Sequence, residues 1–372
     1  MELFSIFILL FFVLFGLISH KSKLATIGLL LLLYILFAFE KSIGDYEDYL
    51  EKFDEIRVGF GRATEYEVLY VLSCSAAAKL GMSFDQMRYV FCLVEITLIY
   101  SVIRKYTKNT ALVLSLFIIF PALLDAELFR FLAGMSLVIY ALPYLLQKSK
   151  KGYIIYFIFV VLAALFHTSC WLFLIYYLLA IKNRKRLILI VVVTLLAGTS
   201  LSAIDSVFGI MEYLPIREHV VEKYETDSYS NMNGIIFDVF KQLLILSLGV
   251  VGYMGLKTTK DVVFSRESIL TDKALLLNSN IIDLNIISCL MLIPMYLSSS
   301  SQRLVHVIVF FNFIAIANNS LTKRGKYCWL YGFLVSVILL IFLLYIEGTG
   351  TQYAFISHFT EGFIINFLDT IQ

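Results

Sequence analysis

Apolar residues run along this chain in long blocks, and short polar links separate them. Blocks near 2–19, 24–39, 85–103, 110–124, 131–147, 153–167, 169–181, 187–205, 235–256, 274–297, 304–318 and 327–346 predict a helix each. Most approach the roughly 20 apolar residues that a helix needs to cross a bilayer. The pattern predicts an all-α polytopic membrane protein with about twelve transmembrane helices. The first block, Met1 to Ile18, has no basic region before it and no small-residue cleavage site after it. It reads as a retained span, not a signal peptide. Tyr66 to Gly81 is apolar but short, and counting it as a crossing would invert the charge pattern on one side of it. It reads as a re-entrant or interfacial helix, which needs protein or water to cover its polar backbone.

Composition agrees with the pattern. The 372 residues are 60% hydrophobic, 16% charged and contain 4 prolines, against about 25% charged residues in a soluble domain. The five cysteines, Cys74, Cys92, Cys170, Cys289 and Cys328, form no CxxC pair, so neither a disulfide framework nor a zinc site is suggested. No EF-hand, P-loop, GxSxG or HExxH pattern occurs, and a nucleic-acid partner, a metal and a nucleotide cofactor all lack support.

The net charge of +2 says little, but its distribution says more. Lys21/Lys23, Arg104/Lys105/Lys108, Lys148/Lys150/Lys151, Lys182/Arg184/Lys185/Arg186, Lys257/Lys260/Arg266/Lys273 and Lys323/Arg324/Lys326 lie in alternate links. The positive-inside rule makes that set cytoplasmic and turns both termini outward. The other links are longer and acidic, which suggests chemistry outside the cytoplasm. They include an extracytoplasmic loop, 40–84, holding the interfacial helix, and a second, 206–234. No internal repeat appears, and 1–372 reads as a single integral membrane domain.

Between two basic clusters lie 153–181, a stretch interrupted only by His167, Thr168 and Ser169. As one helix it would be about 43 Å long and would put the clusters on opposite faces. As two it would form a hairpin with limbs of about 21 Å, short of the roughly 30 Å apolar core. The charge rule favours the hairpin. Its polar turn then sits below the outer surface and lines a depression.

Ionisable residues near spans mark function or an ion pair. Arg130 opens the fifth span. It reads either as an anion clamp, whose planar guanidinium grips phosphate oxygens in pairs, or as a partner for Asp125 or Glu127. His167 is a base, an acid, a phosphate ligand or a packing residue. Arg303 precedes an apolar run, and His306 follows one helical turn later, on the same face. Arg217 and His219 are a further basic pair in the second outer loop. The first outer loop mixes Asp45, Asp48 and Glu65 with Tyr46, Tyr49 and Tyr66. Carboxylates accept bonds from sugar hydroxyls, and aromatic rings stack on sugar faces, so this loop is the candidate glycan-binding surface. Asp238 and Lys241 are placed for an internal ion pair. Glu95 and Asp283 lie mid-span, suited to a proton path or to interhelical hydrogen bonds. Gly249, Gly252 and Gly255 allow close helix approach.

Three stretches, in order, carry a family resemblance: DYEDYLEKF with EYEVLY in the first outer loop, FRFLAGMSLVIYAL at Arg130, and KGYIIYFIFVVLAALFHTS ending past His167. Over roughly 40–320 the chain resembles the EpsG family of bacterial membrane proteins, which are Wzy-like polymerases of exopolysaccharide, capsule and O-antigen repeat units. The resemblance implies a GT-C-like helical architecture in the bacterial cytoplasmic membrane, with an outward-facing site that needs no metal or cofactor. It implies a glycosyltransferase acting on undecaprenyl-pyrophosphate-linked oligosaccharides. Membrane lipid, a chain-length regulator and a flippase are the implied partners. Arg130 and Arg303 would stabilise the pyrophosphate leaving group. His167 would be the base or a phosphate ligand, with Asp45, Asp48 and Glu65 as other bases. A repeat-unit flippase and a membrane O-acyltransferase are the competing classes.

Overall fold

The structure, a computed structural model, describes residues 2–41, 46–59, 66–198, 232–254, 272–297, 299–322, 325–346, 367 and 370. The helices in chain order are α1 (Glu2–Ile18), α2 (Lys23–Phe39), α3 (Tyr46–Val58), α4 (Val68–Lys79), α5 (Phe84–Tyr106) and α6 (Thr110–Phe117). A π-helical turn, Ile118–Ala122, leads into α7 (Leu123–Asp125), then α8 (Phe129–Leu146) and α9 (Lys150–Ala164). A 3-10 helix, Thr168–Ala180, precedes α10 (Arg184–Gly198), α11 (Met232–Met254), α12 (Asp272–Ser288) and α13 (Leu292–Leu297). A second 3-10 segment, Ser299–Val305, leads to α14 (His306–Asn319) and α15 (Cys328–Ile346).

Within the described residues, the apolar blocks of the sequence fall on these helices. Five of them, Phe84–Tyr106, Phe129–Leu146, Ile236–Met254, Asp272–Tyr296 and Ser301–Asn319, are long and apolar enough to cross a membrane. Local chemistry sets several of the starts. Ser22 and Ser149 cap α2 and α9 by accepting from Ala25 and Gly152 N–H, and Ser83 with Gln86 forms a capping box on α5. Large apolar side chains such as Phe7, Leu31, Val94, Ile158, Leu196 and Leu243 face outward. An exposed apolar belt of that extent belongs against lipid.

α14 is buried along its whole length, as expected of a helix apolar all round. α11, α12, α6 and α15 surround it. Buried asparagines fix its register. Asn285 and Asn312 exchange amide bonds at 2.7 and 3.0 Å, Asn318 donates to Asn278 at 2.9 Å, and Asn109 donates to Ala317 O at 2.8 Å. Gly249 lets α11 lie against Asn285, because a Cβ there would collide with that side chain. Two sequence-predicted ionisable groups are used in the same way. Asp283 pairs with Arg184 at 2.5 Å, and Lys241 donates to Gln302 at 2.8 Å. Glu95 is buried in α5.

The expected hairpin is present, with one difference. Tyr177 Oη donates to Tyr153 O at 2.7 Å, and Tyr156 Oη donates to Phe173 O at 2.8 Å. Those pairings require α9 and the following segment to run antiparallel about the turn at 165–167. The return limb is a 3-10 helix and not the expected α-helix. Thirteen residues would rise about 20 Å in α form but about 26 Å at the 3-10 rise of roughly 2.0 Å per residue. Tighter winding thus lengthens a limb that is too short. Gly134 of α8 meets Ala163 O and Cys170 Sγ of the hairpin so closely that a Cβ would clash, and this brings α8 flush against it.

The bundle has two chemically distinct ends. At one, Ala111 N–H donates to His20 O at 3.2 Å, Lys105 lies 5.1 Å from the Tyr144 ring and Arg184 5.7 Å from the Tyr253 ring. Described parts of the basic links lie there. At the other, Lys41 pairs with Asp85 at 2.6 Å, and Arg88 donates to the carbonyls of Glu40 and Ala126. α3 and α4 form a small cap over this second end. Tyr49, Phe53, Tyr70, Cys74, Phe84 and Phe129 make its own core. Glycine at 81, with φ +72°, supplies the left-handed turn between α4 and α5.

Replacing either member of the Asn285–Asn312 pair with Leu leaves the other amide unmet in an apolar interior. Each single variant is expected to lose about 1–2 kcal/mol, and the double variant less than their sum by about 0.6 kcal/mol. A double-mutant cycle on thermal unfolding in detergent micelles measures that coupling.

Candidate active site

Three parts of the chain converge at the capped end: the N-cap of α4, the start of α8 and the tip of the hairpin. α8 begins with Phe129, Arg130 and Phe131. Phe129 and Phe131 are buried, which fixes the direction of Arg130 between them. The Arg130 guanidinium lies 5.2 Å from the Tyr49 ring centre, 4.6 Å from Tyr66 and 5.6 Å from Tyr70. Its Nη1 meets Glu67 Oε2 at 2.6 Å. Glu67 Oε1 accepts from Thr168 N–H at 2.9 Å and from Thr168 Oγ1 at 3.1 Å. Beside it, Leu69 N–H donates to Leu165 O at 2.9 Å. One carboxylate therefore fastens the cap, α8 and the hairpin tip together.

The hairpin tip presents His167, whose Nδ1 lies 2.7 Å from Ser169 Oγ. The imidazole stands edge-on to Phe131, with ring centres 5.5 Å apart. Arg303 comes from the 3-10 segment before α14 and lies 5.6 Å from the same Phe131 ring. His167 and Arg303 are both half-buried, and Thr168 is exposed. A cation and an imidazole thus contact one aromatic ring, and the imidazole carries the Ser169 hydroxyl. Such a set can hold a phosphoryl oxyanion and relay a proton.

Burial alone would raise the Glu67 carboxyl. The Arg130 charge, the Thr168 N–H and nearby His167 outweigh it and hold the group below the usual carboxylate range. Tyr46 moves the other way. Burial and its 2.8 Å bond to Asp85 push its phenol well above its ordinary value. Among the described residues, no three His, Cys, Asp or Glu side chains converge as a metal set.

The structure gives sequence-predicted groups partners in three places. Arg130 pairs with Glu67, whereas Asp125 contacts His306. Its aromatic cage and its carboxylate place Arg130 where the cap, α8 and the hairpin tip join. Tyr49, expected as a sugar platform, is 4% exposed and turns its ring to Arg130. Tyr46 and Tyr66 are half-buried, the first on Asp85 and Arg88 and the second under Arg130. All three tyrosines thus have contacts within the cap, and Asp48 alone of the expected loop ligands is exposed among the described residues. Third come Arg303 and His306, expected one helical turn apart on one face. Arg303 lies on Phe131, whereas His306 Nδ1 is 2.7 Å from Asp125 Oδ1. Asp45, Glu65, Arg217 and His219 lie outside the described residues.

Sequence reasoning placed Thr168 in the polar turn but missed Glu67 and Phe131. Glu67 had a signal: it stands immediately before the apolar run VLYVL, where a helix N-cap is expected.

An all-helical bundle with an outward-facing apolar belt, polar residues kept to its interior and ends, and membrane-length helices defines a multi-pass integral membrane protein. A sequence model of the EpsG family matches residues 23–360, nearly the whole chain. The chain belongs to the EpsG family, a family of Wzy-like polysaccharide polymerases. Neither the curated proteins nor the solved structures contain a match to it.

Arg130→Ala strips Glu67 of its cation. Fully buried pairs lose about 3–5 kcal/mol on such truncation, and here, with both side chains partly exposed, about 2–3 kcal/mol is expected. Arg130→Lys keeps the charge and gives up the planar stack on three rings, for a loss of about 1 kcal/mol. Unfolding midpoints should rank wild type above Lys above Ala. Because Glu67 has its folded pKa below its unfolded one, its contribution is complete above the usual carboxylate range. It is lost as pH falls through the folded value, and Glu67→Gln should lack that acid dependence.

Proposed function

We infer that this polymerase joins oligosaccharide repeat units carried on undecaprenyl pyrophosphate. The observation that carries the reading is that Arg303 and His167 each contact Phe131, in a chain whose family polymerises polysaccharide. The growing glycan's anomeric carbon loses its bond to the pyrophosphate oxygen, and a hydroxyl oxygen at the nonreducing end of a second repeat unit takes its place. The bonding pair departs with undecaprenyl pyrophosphate, and the hydroxyl proton passes to a base. Negative charge grows on the leaving group, where a fixed cation acts most strongly in a site shielded from water. Arg303 takes that role. His167 serves as base or as phosphate ligand. Arg130 holds Phe131 and, through Glu67, the hairpin tip.

The twelve apolar segments serve as membrane crossings in a GT-C-like arrangement. The basic end of the bundle faces the cytoplasm by the positive-inside rule. The capped end faces outward from the bacterial cytoplasmic membrane, where lipid-linked repeats are assembled into polymer. The transporter alternative leaned on Glu95 and Asp283, and Asp283 is occupied by Arg184.

Purified protein in nanodiscs, supplied with lipid-linked repeat units, should produce a ladder of long chains on a gel. Arg303→Ala and His167→Ala should stay folded and lose roughly 100-fold or more of that activity. Normal ladders from both variants would remove these residues from the site. Orientation is checked separately in intact cells. A membrane-impermeant maleimide should label a cysteine placed at Asp48 and spare one at Lys151, both exposed positions. The reverse labelling would turn the protein over.

A further inference from the structure

Asp125 and His306 form a second charged-group contact near the site. Asp125 ends α7, just before the link to α8 that carries Arg130 and Phe131. His306 begins α14, directly after the 3-10 segment that carries Arg303. Their contact, Oδ1 to Nδ1 at 2.7 Å, is almost sealed: side-chain exposures are 0% for Asp125 and 3% for His306. The Phe120 ring, from the π-helical turn, closes on the imidazole with centres 5.4 Å apart. Arg88 holds the neighbouring Ala126 carbonyl at 3.3 Å, which fixes the link behind Asp125.

Half of this pair's hydrogen-bonding capacity is unmet. Asp125 Oδ2 and His306 Nε2 are both buried and have no hydrogen-bond partner among the described residues. Buried polar atoms are nearly always paired, and an exception calls for an explanation. Packing does not provide one, because apolar residues of the same volume fill such a site as well as or better than an ion pair. Orienting a base does. A carboxylate on Nδ1–H holds the imidazole in one tautomer, leaves the Nε2 lone pair as proton acceptor, and stabilises the imidazolium that forms.

We propose that His306, oriented by Asp125, is the base that deprotonates the attacking sugar hydroxyl. The inference rests on the polymerase reading above. The hydroxyl proton moves to His306 Nε2 as its oxygen bonds the anomeric carbon. The carbon–oxygen bond to pyrophosphate breaks, and the electron pair leaves with the lipid carrier, toward Arg303 one turn away. His167 is then left to bind phosphate. Seclusion from bulk water suits a base that must take its proton from a sugar and not from solvent. It also requires the acceptor, on binding, to open the way to Nε2.

His306→Asn tests this. Its amide nitrogen sits near the place of Nδ1 and can still donate to Asp125, but no basic nitrogen remains. In nanodiscs with lipid-linked repeats, His306→Asn should keep the wild-type unfolding midpoint and donor KM to within about threefold. Its kcat should fall about 10²–10⁴-fold, the usual worth of a general base. A folded His306→Asn with wild-type kcat overturns the assignment and makes the pair structural. Should His306→Asn fail to fold, Asp125→Asn decides, since its amide retains a bond to Nδ1. A kcat lowered at least tenfold with unchanged KM supports the base, and an unchanged kcat overturns it. Wild-type protein that makes no polymer refutes the polymerase reading itself, whereas polymer from wild type and His306→Asn alike refutes only the base.

Discussion

One carboxylate holds the capped end of this molecule together. Glu67 spends one oxygen on the Arg130 guanidinium and the other on the amide and hydroxyl of Thr168. Charge-assisted bonds of this kind are roughly twice as strong as neutral ones. Here they join three segments at one point: a cap outside the bundle, the first turn of a long helix, and the tip of a hairpin. The caged Arg130 stands beside Phe131, the ring that His167 and Arg303 each contact. The site's geometry follows from that chain of contacts.

The hairpin depends on a second constraint, its length. Neither limb of a 29-residue stretch can comfortably span the apolar core of a bilayer, and the backbone cannot leave polar groups bare in lipid. The 3-10 return limb stretches the available residues, and Glu67, at the start of α4, takes up the Thr168 amide and hydroxyl of the polar turn. A polar turn that would be a liability in lipid becomes the place where a histidine and a threonine stand beside a cation. Deeper in the bundle, paired asparagines and close-packed glycines keep α14 in register, so that Arg303 and His306 arrive at the same end.

Periodicity and charge were enough to read the helices, because lipid admits only long apolar segments and charged links. The turn at His167 was legible for the same reason: the charge rule puts both basic clusters on one face, and the stretch between them is too short for two full crossings. What the linear pattern hides is pairing. Nothing local to Arg130 says that its partner is Glu67 and not the nearer Asp125, because the choice is made by the fold of the cap. The tyrosines of the first outer loop look the same in sequence whether they face sugars or an arginine, and the cap core turns Tyr49 inward. His306 was visible as a neighbour of Arg303. Its bond to Asp125 was not, since the two residues come from opposite halves of the chain.

The account stands or falls on Glu67 fastening the hairpin tip. Hydrogen–deuterium exchange on the nanodisc-embedded protein reads this directly at the Thr168 amide. In Glu67→Gln, peptides covering 165–171 should exchange about tenfold faster than in wild type, while peptides within α9 remain unchanged, for a loss of about 1.4 kcal/mol of local stability. Identical exchange at the tip in both proteins would contradict the claim that this carboxylate assembles the site.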